Sequence, residues 1–96
     1  MSQQRQFVEA EIDADGEWTA VMTVWPGVLV AVSISGTWSG TIKLQRRFDG
    51  ANWRDVQTWT GSVEATYLAD AGAEIRLGFD ASGFGSGAAV VRLQVG

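Results

Sequence analysis

The sequence predicts an all-β fold: an antiparallel β-sandwich, or a small barrel, of about seven to eight strands. Apolar and polar residues alternate with period two along most of the chain, which is typical of strands with one buried and one exposed face. Turn signals containing glycine, proline or aspartate separate the alternating runs. The length of 96 residues suits one sandwich, so residues 1–96 are predicted to form a single domain.

Six alternating runs can be placed in chain order as half-buried strands. Their predicted inward residues are Val8, Ala10 and Ile12; Trp18, Ala20, Met22 and Val24; Val28, Val30, Val32 and Ile34; Ile42, Leu44 and Phe48; Ile75, Leu77 and Phe79; and Val91, Leu93 and Val95. Residues 1–15 are predicted to be an N-terminal arm or an edge strand, and an arm of this kind could add a strand to a neighbouring subunit.

The turns between these runs have recognisable chemistry. Trp25-Pro26-Gly27-Val28 has proline and glycine at the positions that a type II turn requires. Asp15-Gly16 and Asp49-Gly50 favour tight turns, the second of them in a hairpin. The other predicted breaks are the segments 35–40, 70–72 and 82–87, the first and last because they are rich in glycine and serine.

The amino-acid composition excludes most of the common catalytic mechanisms. The chain has no cysteine and no histidine, which excludes disulfides, thiolate or histidine zinc sites, cysteine nucleophiles and Ser-His-Asp triads. Carboxylates, arginines, Lys43 and Tyr67 remain, and none of them is placed as an evident base or nucleophile. The sequence therefore predicts a protein that is not an enzyme and has no cofactor.

Two acidic patterns have structural explanations. Asp49 and Asp55 could form a glycosidase-like pair, but Asp49 is explained by its turn, and Asp55 by pairing across the hairpin with Arg46, Arg47 or Arg54. The segment 11–16 resembles the start of an EF-hand calcium loop, but the twelfth position of that loop is Met22 where a bidentate glutamate is required. No metal site is predicted.

The charge distribution limits the partners. The net charge is −4, and residues 1–17 account for it, with five acidic residues against Arg5. A chain of this balance is not expected to bind nucleic acid, which needs a basic face. No apolar run approaches about 18 residues, so no membrane span is predicted. The start of the chain lacks the apolar core of a signal peptide, so the protein is expected to remain where it is made or to be assembled there.

Aromatic and basic residues near the predicted turns suggest an interaction surface. Four of the five tryptophans lie in or beside turns, whereas Trp18 has inward parity and is predicted to lie in the core. Exposed aromatic side chains stack on sugar rings and anchor protein interfaces. The candidate interaction surface consists of Trp25, Trp38, Trp53, Trp59, Arg46, Arg47, Arg54 and Phe84.

One stretch carries a resemblance to a known group of proteins. Residues 39–46 have the sequence SGTIKLQR, followed by Phe48-Asp49-Gly50 and then Trp53-x-Asp55-Val56. Over residues 36–95 this pattern resembles small all-β proteins encoded among the virion structural genes of tailed bacteriophages and prophages. The chain departs from the pattern at Arg47, where serine is usual, and at Ala51, which replaces a second glycine; neither change disturbs a hairpin.

The resemblance implies a structural function and brings no catalytic residues. It implies a phage virion protein, assembled in the host cytoplasm: a capsid decoration or cement protein that acts as a homo-oligomer and contacts copies of itself and the major capsid protein. A component of the tail, the fibre or the head–tail connector is an alternative. A further alternative is a carbohydrate-binding β-sandwich module with Trp38, Trp53 or Trp59 as the platform for glycans.

Overall fold

A computed structural model describes residues 6–48 and 52–95, which form two antiparallel four-stranded sheets. The strands of this part of the chain are β1 (Gln6–Ile12), β2 (Met22–Val24), β3 (Leu29–Gly40), β4 (Ile42–Arg47), β5 (Arg54–Trp59), β6 (Val63–Leu68), β7 (Ala73–Gly78) and β8 (Phe84–Val95). The predicted all-β class is confirmed, and the sheets form a sandwich rather than a closed barrel. Within the described ranges, no helix has the length and hydropathy that crossing a bilayer requires.

The strand order defines a jelly roll. The first sheet has the order β1-β8-β3-β6, and the second sheet has the order β2-β7-β4-β5. The first strand therefore pairs with the last, the second with the seventh, the third with the sixth and the fourth with the fifth. A long hairpin wrapped around two layers produces this pairing, which is the arrangement of double-sheet jelly rolls.

The core lies between the sheets and is filled by most of the predicted alternating residues, but the prediction is wrong for Phe48, which is 41% exposed beyond the end of β4, and Val95 is only half-buried. The confirmed buried positions are Ile12, Met22, Val24, Val28, Val30, Val32, Ile34, Ile42, Leu44, Ile75, Leu77, Phe79, Val91 and Leu93. Phe79 is the largest fully buried side chain. Val8 and Ala10 are only half-buried because β1 is an edge strand with a neighbour on one side.

The predicted alternation is wrong before β2. Thr19 is buried and Ala20 is exposed, the reverse of the predicted pattern. The Thr19 hydroxyl accepts a hydrogen bond from the Leu77 amide at 3.1 Å, and the Thr19 amide donates to the Leu77 carbonyl at 2.9 Å. Trp18, predicted to lie in the core, is half-buried: it is bridged to Gly78, and its ring lies 4.0 Å from the Arg76 guanidinium.

Two predicted loops are largely strand. Residues 35–40 lie within β3, and β8 begins at Phe84, so only residues 81–83 of that region form a turn. Gly87 has a φ of +82°, and a Cβ atom there would lie 2.2 Å from the Thr37 carbonyl oxygen. The glycine permits close contact between two strand backbones, so glycine content was misleading as a loop signal.

The predicted type II turn is confirmed at residues 25–28. Gly27 has a φ of +87°, and the Val28 amide donates to the Trp25 carbonyl at 3.3 Å. The predicted Asp49-Gly50 turn and residues 1–5 lie outside the described residues. The segment 6–12 forms β1, which pairs with β8 of its own chain.

The loops gather at two ends of the sandwich. The near end holds loops 25–28 and 69–72, which are joined by the Gly27 amide donating to the Ala69 carbonyl at 2.8 Å. The far end holds loops 13–17, 60–62 and 79–83. These two ends differ in their chemistry.

Candidate interaction surface

Polar and charged side chains of β4, β5, β7 and the loop after β7 form a hydrogen-bonded network on the outer face of the second sheet. Lys43 Nζ lies 2.7 Å from an Asp80 carboxylate oxygen and 3.1 Å from one of Asp55. The Gln45 amide nitrogen donates to Asp55 at 2.8 Å, and Arg76 donates to the Gln45 carbonyl oxygen at 2.8 and 3.1 Å. The network links the central strands β4 and β7 to the edge strand β5.

The predicted partners of Asp55 are wrong. Asp55 pairs with Lys43 and Gln45, not with Arg46, Arg47 or Arg54. The reason is a register shift between Leu44 and Gln45, which places Asp55 opposite Gln45. A bulge of this kind reverses which side chains face one another and is difficult to detect in a sequence.

Electrostatic contacts lower the pKa of both aspartates in this network. Hydrogen bonds from Gln45 and then Lys43 lower the pKa of Asp55, and a hydrogen bond from Lys43 is the largest cause of the lowered pKa of Asp80. The same contacts, first with Asp80 and then with Asp55, raise the pKa of Lys43. The folded state therefore favours the charged forms of all three groups.

This network predicts acid sensitivity. Because the folded pKa values of Asp55 and Asp80 lie below the ordinary value of about 3.9, their stabilising contribution is present above that pH and is lost as the pH falls through the folded values. We expect Lys43→Met to lose less stability than the wild type between pH 5 and pH 2.5, measured by thermal unfolding. Arg54→Met, which removes an exposed arginine with no ion pair among the described residues, should keep the wild-type slope. Parallel pH profiles for wild type and Lys43→Met would contradict the expectation.

A row of stacked cations and indoles runs beside this network. The guanidinium of Arg76 lies 4.0 Å from the ring centroid of Trp18 and 4.3 Å from that of Trp53. Arg47 lies 4.5 Å from the Trp53 centroid and also pairs with Glu74 at 2.8 Å. Burial, and then the charge of Arg47, lower the pKa of Arg76. The Trp53 ring therefore makes cation–π contacts with two arginines of its own chain.

Three predicted surface aromatics pack inward instead. Trp38 and Phe84 contact Phe79 edge-on, with ring centroids 5.9 and 5.2 Å apart. Both residues are half-buried, and the Trp38 indole nitrogen donates to the Ser62 hydroxyl at 3.3 Å. Trp59 is also half-buried against the core. They close the far end of the sandwich.

The remaining predicted residues lie towards the near end. Arg46 donates to the Tyr67 hydroxyl at 3.3 Å and to Asp70 at 3.1 Å, and the Tyr67 contact is the largest cause of its raised pKa. Arg54 is exposed, and so is Trp25, at 51%. The eight predicted residues are therefore spread over both ends and the second sheet.

The near end holds an apolar patch that the sequence interpretation missed. Six large hydrophobic residues of the described chain are between 41% and 62% exposed. This apolar patch consists of Phe7, Val21, Trp25, Leu29, Phe48 and Leu68. They lie in three places: Phe7, Val21 and Trp25 line one groove, Leu29 and Leu68 lie side by side at the start of β3 and the end of β6, and Phe48 follows β4. Leu29 and Leu68 are cross-strand partners on the outer face of the first sheet. With roughly 150–250 Å² for an aromatic side chain, the exposed areas of the six residues sum to on the order of 600 Å².

A groove lies at the open side of the sandwich, between the edge strands β1 and β2. Its volume is 590 Å³, and it contacts part of the apolar patch. The groove is lined by Gln6, Phe7, Val8, Val21, Met22, Thr23 and Trp25. Both of its walls are strands that have a paired neighbour on one side only.

In the acidic loop 13–17 at the far end, two carboxylates accept hydrogen bonds from backbone amides. Glu17 accepts a hydrogen bond from the Asp13 amide at 2.6 Å, which lowers the Glu17 pKa. Asp15 accepts from the Phe84 amide at 2.9 Å. Across the parts of the chain that the structure describes, no group of three or more acidic side chains is arranged to hold a metal ion.

The chain was compared with known proteins at the level of families, sequences and structures. No protein-family model, curated protein or solved structure matches it.

Proposed function

We propose that this chain is a non-enzymatic structural protein of a phage virion, a capsid decoration or cement protein that acts as a homo-oligomer. The observation that carries the proposal is the apolar patch at the near end. Exposed hydrophobic side chains that lie close together, as Leu29 and Leu68 do and as the three in the groove do, mark contact surfaces. The resemblance of residues 39–56 to virion proteins suggests that this contact is made on a phage particle.

The size of the apolar patch suits a stable protein interface. Standard interfaces bury about 800 Å² on each partner, and roughly two thirds of a homodimer interface is apolar. The summed exposed area of the six residues is similar to the apolar part of one such interface. Arg46 and Asp70 lie beside it and would contribute to a polar rim.

The fold agrees with the proposal. Double-sheet jelly rolls occur in viral capsid domains, in lectins and in cupins. Because one fold serves many functions, the surface chemistry must distinguish among them. Here that chemistry consists of exposed apolar side chains beside a second sheet in which Lys43 and Arg47 are paired with carboxylates of the same chain.

A carbohydrate-binding module has weaker support. Of the predicted platform residues, Trp38 and Trp59 pack on the core, and Trp53 is contacted by Arg47 and Arg76. Of the predicted tryptophans only Trp25 is exposed, and it lines the groove together with Gln6 and Thr23. A glycan panel read by tryptophan fluorescence would reveal binding at Trp25.

Self-association is the first test. We expect the purified chain to elute as a trimer or larger ring when its mass is measured by light scattering, and to co-sediment with heads of the phage or prophage that encodes it. Leu29→Ser combined with Leu68→Ser removes the cross-strand apolar pair, and should weaken association at least tenfold because each buried leucine contributes about 1.5–3 kcal/mol.

Ala81→Ser provides the matched control, because Ala81 is exposed at the far end. It should associate as the wild type does. A wild-type chain that stays monomeric and does not co-sediment with heads would overturn the proposal.

A further inference from the structure

The strand β1 presents an open edge of the first sheet. It pairs with β8 along all seven residues, from Gln6–Val95 to Ile12–Ala89, without a register shift. Alternate backbone amide and carbonyl groups of β1 therefore point away from the sheet. Both edges of the second sheet are blunted: β2 has three residues, and the pairing of β5 is interrupted by a register shift. The strand β6, at the other edge of the first sheet, is paired as regularly as β1. β1 has neither protection.

The inner face of the sheet is incomplete at this edge. Val91 and Leu93, on the neighbouring strand, are fully buried, whereas their partners Ala10 and Val8 are only half-buried. The groove that Val8 shares with Met22 runs along the same edge. A strand added beside β1 would cover Val8 and Ala10 with its inward side chains and extend the core by one row.

The outer face of the edge is acidic. Glu9 and Glu11 point outward along β1, and residues 6–17 hold five acidic residues and no basic one. Arg92 pairs with Glu9 at 3.3 Å, whereas Glu11 has no ion pair within residues 6–48 and 52–95. A strand laid beside β1 would place its outward side chains next to these carboxylates.

Charge complementarity identifies the occupant. If β1 of a second copy paired here, glutamates would face glutamates. If β6 of a second copy paired here, its Glu64 would lie beside Glu9 and Glu11 on the outer face. Like charges opposite one another destabilise both arrangements. We infer that the β1 edge binds an extended basic segment of a different protein by β-augmentation. In that segment, apolar residues at alternate positions cover Val8 and Ala10, and lysine or arginine between them faces Glu9 and Glu11. The inference is independent of the proposed virion function.

Two matched peptides test the inference on the full chain. One alternates valine and lysine over nine residues, and the other has glutamate in place of each lysine. We expect calorimetric titration to show at least tenfold tighter binding of the lysine peptide, weakening as salt is raised. Glu11→Lys should reduce its affinity at least fivefold and improve that of the glutamate peptide. Glu64→Lys, an equal change on the opposite edge strand, should leave both affinities unchanged.

Three outcomes overturn the inference: equal affinities for the two peptides, no saturable binding, or equal effects of Glu11→Lys and Glu64→Lys. A light-scattering mass that changes with Glu11→Lys while neither peptide binds would assign the edge to a second copy of the chain instead. Oligomer mass and peptide affinity are separate measurements, so failure of this inference is distinguishable from failure of the proposed self-association.

Discussion

Replacing Phe79 by alanine is expected to lower the free energy of unfolding by about 3–5 kcal/mol. The ring is fully buried and contacts Trp38 and Phe84 edge-on, at interplanar angles of 69° and 78°. Its removal would leave a cavity where three aromatic residues close the far end of the sandwich. Since small domains are stable by about 5–15 kcal/mol, this one change should remove much of the total.

Urea denaturation followed by tryptophan fluorescence measures the effect. Phe79→Leu serves as the control, because it retains much of the apolar volume and should cost less than half as much. An alanine variant within about 1 kcal/mol of the wild type would show that the far end collapses to fill the space, contrary to the packing of the three rings.

Gly87→Ala is expected to be one of the two most damaging glycine substitutions, together with Gly40→Ala, and to cost about 2–5 kcal/mol. Gly87 combines a φ of +82° with a close backbone approach, since a Cβ atom there would lie only 2.2 Å from the Thr37 carbonyl oxygen. Backbone strain at positive φ costs roughly 1–2 kcal/mol, and overpacking adds about 1–3 kcal/mol. The change should loosen the pairing of β3 with β8, measured as a shift in the urea midpoint.

Three other glycines allow the effect of the positive φ to be measured separately from the effect of the close backbone approach. Gly78 has the close approach without the positive φ, since a Cβ there would lie 2.2 Å from the Glu17 carbonyl oxygen. Gly16 has a φ of +76° with open space around it, and Gly61 has neither constraint. Alanine at Gly78 and at Gly16 should each cost less than at Gly87, and alanine at Gly61 should cost almost nothing. A Gly87→Ala variant as stable as Gly61→Ala would contradict this explanation.

Local sequence patterns were sufficient to predict the strands with regular alternation and one of the turns. Val28, Val30, Val32 and Ile34 alternate without interruption, and all four face the core. Pro26-Gly27 specifies its turn through its own backbone preferences. The segments 35–40 and 82–87 could not be assigned in this way, because their glycines serve contact between distant strands, and the identity of that partner is not a local property.

The candidate surface was harder to predict because exposure depends on what lies opposite. The Trp38 side chain points inward because it packs against Phe79, and the Trp53 ring stacks with Arg76 of another strand. The apolar patch did leave a signal in the sequence. Phe7 and Leu29 lie out of phase with the inward residues of their strands, and large hydrophobic residues at outward positions mark a contact surface.

The central place of β8 in the first sheet also governs when the domain can fold. β8 is the hydrogen-bonded neighbour of both β1 and β3, so Gln6 pairs with Val95 across nearly the whole sequence of the domain. During synthesis, β1 and β3 emerge from the ribosome long before the strand that joins them. Until then, both present unpaired edges, and closing so long a loop makes folding slow and exposes the nascent chain to aggregation. Folding of the first sheet consequently waits for the twelve residues of β8.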